Sequence, residues 1–192
     1  MLLALLAAGQ SSRFGDRDKL SAPLGDNMLG LHAAATAAAL PFAGKLVIGS
    51  PAHDCAAHWR SLGYRIIANE DAAQGQASSV RLAAAQAIAS GASALCILLA
   101  DMPFVTRDHI GRLTSAFEQS GSVVASTRNG QAMPPAIFPV GALAKLLTLE
   151  GDSGARTLLA DAELVPGRDP LLIDIDTQED LAQARLIHDR IR

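Results

Sequence analysis

The chain has 192 residues, enough for one domain or two small ones. Hydrophobic residues make up 49% of it and mean hydropathy is +0.23, which supplies a full core and excludes a disordered chain. Sixteen basic against nineteen acidic residues leave a net charge of −3, so no basic field exists to follow a nucleic acid backbone.

Met1–Ala7 is apolar, stops at a glycine two residues on, and reads as a buried parallel strand. It lacks the basic n-region of a signal peptide, and its apolar run ends after about eight residues, short for an h-region. No later stretch reaches the roughly 18 apolar residues of a spanning helix, so no membrane is expected. Helix is expected over Met28–Leu40, strand over Lys45–Gly49, a short helix over Asp54–Ser61 and strand over Tyr64–Ala68. Ser78–Ser90 carries Val80, Leu82, Ala83, Ala87 and Ile88 at helical spacing, and Ala94–Ala100 is a fully apolar strand. Arg107–Gln119 reads as helix and Ser122–Thr127 as strand. Gly141–Leu149 and Gly154–Asp161 look helical, Leu171–Ile175 reads as a strand, and Thr177–Ile191 closes the chain as a helix. This rhythm predicts an α/β fold, three layers deep, on a doubly wound, mainly parallel sheet of Rossmann-like type, with residues 1–192 as a single domain. Such sheets bind ligands in the crevice at the carboxyl ends of the strands, so the polar residues after each strand matter most.

After the first strand come Ala7-Ala8-Gly9-Gln10-Ser11-Ser12-Arg13-Phe14-Gly15 and then Asp16-Arg17-Asp18-Lys19-Leu20. Small residues at Ala7, Ala8 and Gly9 let backbone N–H groups form an anion-binding nest. Arg13 adds a planar fork for phosphate oxygens and Lys19 a point charge. The loop is neither a Walker A sequence nor G-x-G-x-x-G. Taken alone, it also fits a glycine turn with solvated charges.

L-A-A-G-x-S-x-R-F-G followed by K-L resembles the signature of small nucleotidyltransferases that bind an NTP on a doubly wound sheet of the nucleotide-diphospho-sugar transferase type. Within them it is similar to the molybdenum cofactor cytidylyltransferases, which join CMP from CTP to molybdopterin and release pyrophosphate. The resemblance implies that Ala7, Ala8, Gly9, Gln10, Ser11 and Arg13 hold the triphosphate and that Lys19 neutralises charge near the transferring phosphate.

ALCILLA ends in Asp101-Met102-Pro103. A carboxylate there lies in the expected crevice and suits Mg²⁺, which takes one or two protein carboxylates plus substrate phosphates. A turn or cap role is the alternative; L-x-x-D-M-P resembles the family's metal-binding segment. Ile173-Asp174-Ile175-Asp176-Thr177-Gln178-Glu179-Asp180 places Asp174 and Asp176 on one face of an extended chain, with Thr177 as N-cap of the last helix and Asp180 three later. The resemblance of D-x-D-T-x-E-D-L implies that one of these acids completes the metal site with Asp101; Asp176 is favoured and Asp174 is the fallback.

Gly75-Gln76-Ala77-Ser78-Ser79-Val80-Arg81 opens a helix, and Ser78 or Ser79 could cap it or read a pyrimidine edge. The stretch is similar to the family's G-M-S-S-S-L-R, with Gln76 and Ala77 in place of Met and Ser, and it implies nucleotide contacts at Gly75, Ser78 and Ser79. Gly130-Gln131-Ala132-Met133-Pro134-Pro135-Ala136-Ile137-Phe138 and Leu149-Glu150-Gly151-Asp152-Ser153-Gly154-Ala155-Arg156 are read as the acceptor side; the second resembles the family's L-x-G-D-x-G-A-R, and taken alone Gly151-Asp152 also fits an ordinary helix start. The resemblance implies acceptor contacts at Pro135, Asp152, Ser153 and Arg156. Many family members carry a His close before the Pro of the first segment; here there is none.

Cys55 and Cys96 form no CxxC pair, so neither a disulfide framework nor a zinc knuckle is expected, and a reducing cytoplasm fits. His53 and His58 stand five apart, off one helical face, and read as surface residues. The expected function is Mg²⁺-dependent CMP transfer from CTP to molybdopterin, with Arg13, Lys19 and Asp101 as catalytic residues. The alternatives are GTP as donor, a sugar or polyol phosphate as acceptor, or a non-catalytic carrier of the finished cofactor to a molybdoenzyme client.

Overall fold

A computed structural model describes residues 1–9, 14, 18–150 and 156–191, without the side chains of 156 and 157. In chain order the elements are β1 (Leu2–Leu6), β2 (Pro23–Leu24), β3 (Asn27–Met28), α1 (Leu29–Ala38), β4 (Gly44–Ile48), α2 (Ala56–Ser61) and β5 (Arg65–Ile67). Then follow α3 (Gln76–Ala89), β6 (Ala94–Leu99), α4 (Arg107–Ser120), β7 (Val124–Arg128), β8 (Gln131–Pro139), α5 (Val140–Leu146), β9 (Glu163–Pro166) and α6 (Gln178–Ile191). Seven strands form one sheet in the order β5-β4-β1-β6-β8-β7-β9; β2 and β3 form a separate hairpin. The β5-β4-β1-β6 half is parallel throughout. The expected α/β doubly wound architecture is present.

β1 shows why the sheet is covered on both faces. All five of its residues are buried, and they divide by alternation. Leu3 and Leu5 face a core built with α1, α2 and α4; Leu2, Ala4 and Leu6 face one built with α3 and α5. A strand that must satisfy both faces reads as a continuous apolar run. Helix α6 closes a third cluster with Phe14, Leu24, Phe104 and Ile175. No described helix is long and apolar enough to cross a membrane.

Three sequence expectations change. First, Leu171–Ile175 is not a strand: it runs as a turn and irregular chain. The sheet edge is β9, whose Glu163–Pro166 pairs in parallel with β7. The 171–176 segment instead crosses the strand ends, and its Ile175 N–H donates to the Asp101 carbonyl at 3.0 Å. Second, β8 runs antiparallel between β6 and β7 through a stretch whose two prolines do not read as strand. β7 pairs Ala125 with Ala136 and then Ser126 with Met133, so Pro134 and Pro135 bulge out of the ladder. Lacking N–H groups, the prolines leave no orphan donor there. Third, of Gly154–Asp161 only Arg156–Leu159 is helical, as a 3-10 turn, with 154 and 155 outside the described residues. The β2–β3 hairpin also carried no sequence expectation.

The bulge is held by a buried relay. The Ser126 hydroxyl donates to the Pro135 carbonyl at 2.8 Å and lies 2.8 Å from His109 Nε2. Arg112 donates to His109 Nδ1 at 2.9 Å. Arginine can only donate, so Nδ1 is the acceptor and the ring proton sits on Nε2, toward Ser126. His109 is 0% exposed, and burial together with the Arg112 guanidinium pushes its pKa down to about 4.

The folded protein therefore keeps His109 neutral where an unfolded chain, with a pKa near 6.5, takes up a proton. Its contribution to stability is complete above pH 6.5 and is lost as pH falls toward 4. Denaturant unfolding at pH 7.5 and pH 5 should show wild type losing stability at the lower pH. His109→Gln should show a shallower loss, from a lower starting point. Equal pH slopes would reject the assignment.

Candidate active site

Strand order reverses between β1 and β6, and the loops leaving their carboxyl ends flank one crevice. The first loop returns through a 3-10 turn, Lys19–Ser21. Asp18 caps that turn, accepting from the Leu20 N–H at 3.1 Å and the Ser21 hydroxyl at 3.2 Å. His53 pairs with the same carboxylate. Its Nδ1 accepts the Cys55 N–H at 3.0 Å, which places the ring proton on Nε2, facing Asp18. His53 also lies against Trp59, with ring centroids 4.9 Å apart. A histidine without a metal role in the sequence thus helps to frame the Lys19 turn.

Lys19 is 7% exposed. Its ammonium donates to Asp101 Oδ2 and to Asp176 Oδ1, each at 2.7 Å. Burial by itself lowers its pKa, but the Asp101 and Asp176 carboxylates outweigh burial and hold it above the usual lysine value. Lys19 is therefore charged at neutral pH. Burial pushes the Asp101 carboxyl up; Lys19 opposes this, while Asp174 and Asp176 add to it. Asp101 Oδ1 is buried with no hydrogen-bond partner among the described residues.

Asp176 is aimed by the start of α6. Asp180 Oδ2 accepts from the Asp176 N–H at 3.1 Å, and from the Thr177 N–H and hydroxyl, both at 2.8 Å. The Asp180 N–H donates back to Thr177 Oγ1 at 3.1 Å, completing a reciprocal cap. Asp174 points elsewhere: it is exposed and lines the neighbouring part of the crevice, beside Met133. Of the two acids, Asp176 is the one that shares Lys19 with Asp101.

A cavity of about 380 Å³ opens over this cluster, between Ala8 and Gly9 on one side and Gly75 and Ser79 on the other. That volume lies in the usual range for small-molecule sites. Among the described residues, nothing stands within 4 Å of where a Gly9 Cβ would be. Gly75 enters α3 at φ +89°, a conformation that favours glycine.

Several expected contacts move. Ala7, just past β1, is buried and its N–H donates to the Ile48 carbonyl of β4 at 2.9 Å, so that N–H is not free for an anion nest. The Ser78 hydroxyl donates to the Gly75 carbonyl at 2.8 Å and does not line the cavity; Ser79 does. Asn69, which carried no role in the sequence, donates to Ser78 Oγ at 3.0 Å and to Ser79 Oγ at 2.9 Å. Its position at a strand end was visible, but which hydroxyl it reaches depends on the turn between β5 and α3. Pro135 is buried behind the bulge, and Pro134 forms the crevice wall in its place. Gln10, Ser11, Arg13, Asp152 and Ser153 lie outside the described residues, as does the Arg156 side chain. Cys55 and Cys96 are buried thiols pushed up to about 12, so neither is a nucleophile here.

Comparison with known proteins agrees with this fold. The model of the MobA-like NTP transferase domain matches residues 3–166. The purine catabolism protein PucB of Bacillus subtilis is 31% identical over 94% of this chain and 93% of its own. Among solved structures, a Mycobacterium sp. strain JC1 homologue of Mycobacterium tuberculosis Rv0371c superimposes with TM-score 0.83 at 23% identity, over 100% of this chain and 98% of that one. Molybdopterin-guanine dinucleotide biosynthesis protein A of Archaeoglobus fulgidus gives TM-score 0.69 at 18% identity, over 99% and 100%. With the family model matched over most of its length, the chain belongs to the MobA-like NTP transferase family and is a nucleotidyltransferase.

Proposed function

We propose that this nucleotidyltransferase transfers CMP from CTP to molybdopterin, releasing pyrophosphate. The observation that carries the transfer reading is the buried Lys19 ammonium held between Asp101 and Asp176 beside a cavity walled by Gly9 and Gly75. The choice of cytosine and of molybdopterin rests on the motif resemblance at Ser79 and at residues 151–156.

An oxygen of the acceptor phosphate attacks the α-phosphorus of CTP. A new P–O bond forms as the bond from that phosphorus to the bridging oxygen breaks, and pyrophosphate leaves with the electron pair. No protein nucleophile is needed; the protein positions the groups and neutralises charge. Lys19 is fixed and charged before substrate arrives, so it needs no reorganisation as charge develops on the phosphoryl oxygens. The backbone at Ala8 and Gly9, with Arg13, holds the triphosphate. Ser79, oriented by Asn69, faces the base. Asp101 and Asp176 would hold Mg²⁺: Asp101 Oδ1 offers a hard oxygen without a partner among the described residues, and substrate phosphates would supply further ligands. When bound, the metal neutralises charge on the transferring and leaving phosphates.

Calorimetric titration with CTP and with GTP, each with Mg²⁺, tests the donor. Preference for CTP is expected; preference for GTP would move the assignment to guanylyl transfer, and binding of neither would reject it. Asp101→Asn keeps an oxygen acceptor for Lys19, whereas truncation would strand a buried ion-pair partner at about 3–5 kcal/mol. That variant should fold normally and lose at least about a hundredfold in turnover. Wild-type turnover would reject Asp101 as a metal ligand. Lys19→Ala should lower kcat more than CTP affinity; an effect confined to affinity would make Lys19 a ground-state contact.

A further inference from the structure

Among the described residues, the charged side chains that line the nucleotide cavity are Lys19, Asp101 and Asp176. They form one cluster, with the Lys19 ammonium 2.7 Å from Asp101 Oδ2 and 2.7 Å from Asp176 Oδ1. The Lys19 and Asp101 side chains are only 9% and 17% exposed, so water screens their charges weakly. The backbone that carries the ammonium cannot withdraw, because Asp18 caps its turn and His53 holds Asp18.

The cluster has two cations to serve. The carboxylates that hold Lys19 are also those that would take the divalent ion. One ammonium against two carboxylates leaves a single negative charge. A divalent ion entering alone would turn that into a net positive charge, with two cations as close neighbours. Asp101 Oδ1 has no partner among the described residues and offers the ion an oxygen, but it belongs to the carboxylate whose Oδ2 holds the ammonium. Using it does not separate the two positive charges.

A nucleoside triphosphate changes the sign. Its negative charges compensate both cations, and its phosphate oxygens supply further ligands to the ion. A fixed ammonium beside the acid pair therefore disfavours the free ion but not the ion carried on a triphosphate. Coupling of this kind is reciprocal, so each ligand raises the affinity of the other.

We propose that Lys19 is an electrostatic interlock: it keeps the Asp101–Asp176 pair closed to a free divalent cation and opens it to one carried by a nucleoside triphosphate. The proposal rests on the nucleotidyl-transfer reading and adds an order of events. The metal enters with the nucleotide and not ahead of it. A lysine that served only as a phosphate contact would have no effect on when the metal binds.

The test is binding of Mn²⁺, a paramagnetic substitute for Mg²⁺, followed by electron paramagnetic resonance without nucleotide. Lys19→Gln keeps N–H donors for the carboxylates and removes the charge. It should bind Mn²⁺ at least about tenfold more tightly than wild type, since one neighbouring charge shifts an ionic equilibrium by about one to three decades. Adding Asp176→Asn should abolish the gain, which locates the ion on the acid pair. Circular dichroism and thermal melts check that each variant is folded. A second measurement uses wild type alone, since Mn²⁺ broadens the NMR signals of nearby amides. At low Mn²⁺ the Met102 and Thr177 amide signals should broaden with CTP present and stay sharp without it. The proposal is overturned if Lys19→Gln binds Mn²⁺ no more tightly than wild type, or if the gain survives Asp176→Asn. It is also overturned if Mn²⁺ alone broadens Met102 and Thr177 in wild type as strongly as it does with CTP. Titration with CTP and GTP separates the two readings. Nucleotide binding with Mn²⁺ affinity indifferent to Lys19 would keep nucleotidyl transfer and overturn the interlock. A gain of Mn²⁺ affinity in Lys19→Gln, with neither nucleotide bound by wild type, would reject transfer and keep Lys19 as the group that excludes the ion.

Discussion

The site depends on one buried ammonium. Lys19 bonds to Asp101 and Asp176, 82 and 157 residues away along the chain, and so joins the first loop, the central strand and the start of the last helix. A charge in that position persists only because its partners are fixed. Asp18 caps the turn that carries it, and His53 holds Asp18. The Ile175 N–H binds the Asp101 carbonyl, and the Thr177–Asp180 cap orients Asp176. Each of these contacts is a hydrogen bond or ion pair of ordinary strength. Together they place two carboxylates around one cation at the point where strand order reverses.

The two halves of the sheet divide the work of the crevice. The parallel half brings β1 and β6 out side by side, so their loops meet over the nucleotide cavity. The antiparallel pairs of β8 with β6 and β7 build the other end of the crevice, where the proposed acceptor would bind. There β8 returns past β6, and its proline bulge turns Met133 and Pro134 into the crevice while Pro135 is buried against Ser126. The His109–Ser126 relay resembles part of a hydrolytic triad. Its complete burial, and a serine proton already given to a carbonyl, make it a structural clamp instead. Chemistry in this fold needs no activated nucleophile, because phosphoryl transfer asks chiefly for alignment and charge compensation.

Much of this was legible from local pattern. Apolar runs of strand length, separated by helical segments, specify a doubly wound sheet because strands covered on both faces have no polar alternation. Asp101 stood out because a carboxylate after a fully apolar strand lies at the carboxyl edge. The Thr177–Asp180 cap was readable because it lies within one turn. β8 was not legible, since its prolines deny the usual strand signal and only a bulge makes them acceptable. Asn69 and His53 were not legible either. Each is an ordinary polar residue until another segment is folded against it.

The sequence alone determined the class of fold, the edge of the sheet where ligands bind, and the residue types gathered there. Those follow from periodicity, capping and strand-end chemistry, which act over a few residues. The tertiary structure decided which of Asp174 and Asp176 shares Lys19 with Asp101, which of Ser78 and Ser79 faces the cavity, and which of Pro134 and Pro135 walls the crevice. Each choice lies between near neighbours with similar local signals. It is settled by contacts spanning 82 residues or more for the lysine, and by a register shift for the prolines, neither of which any short window contains.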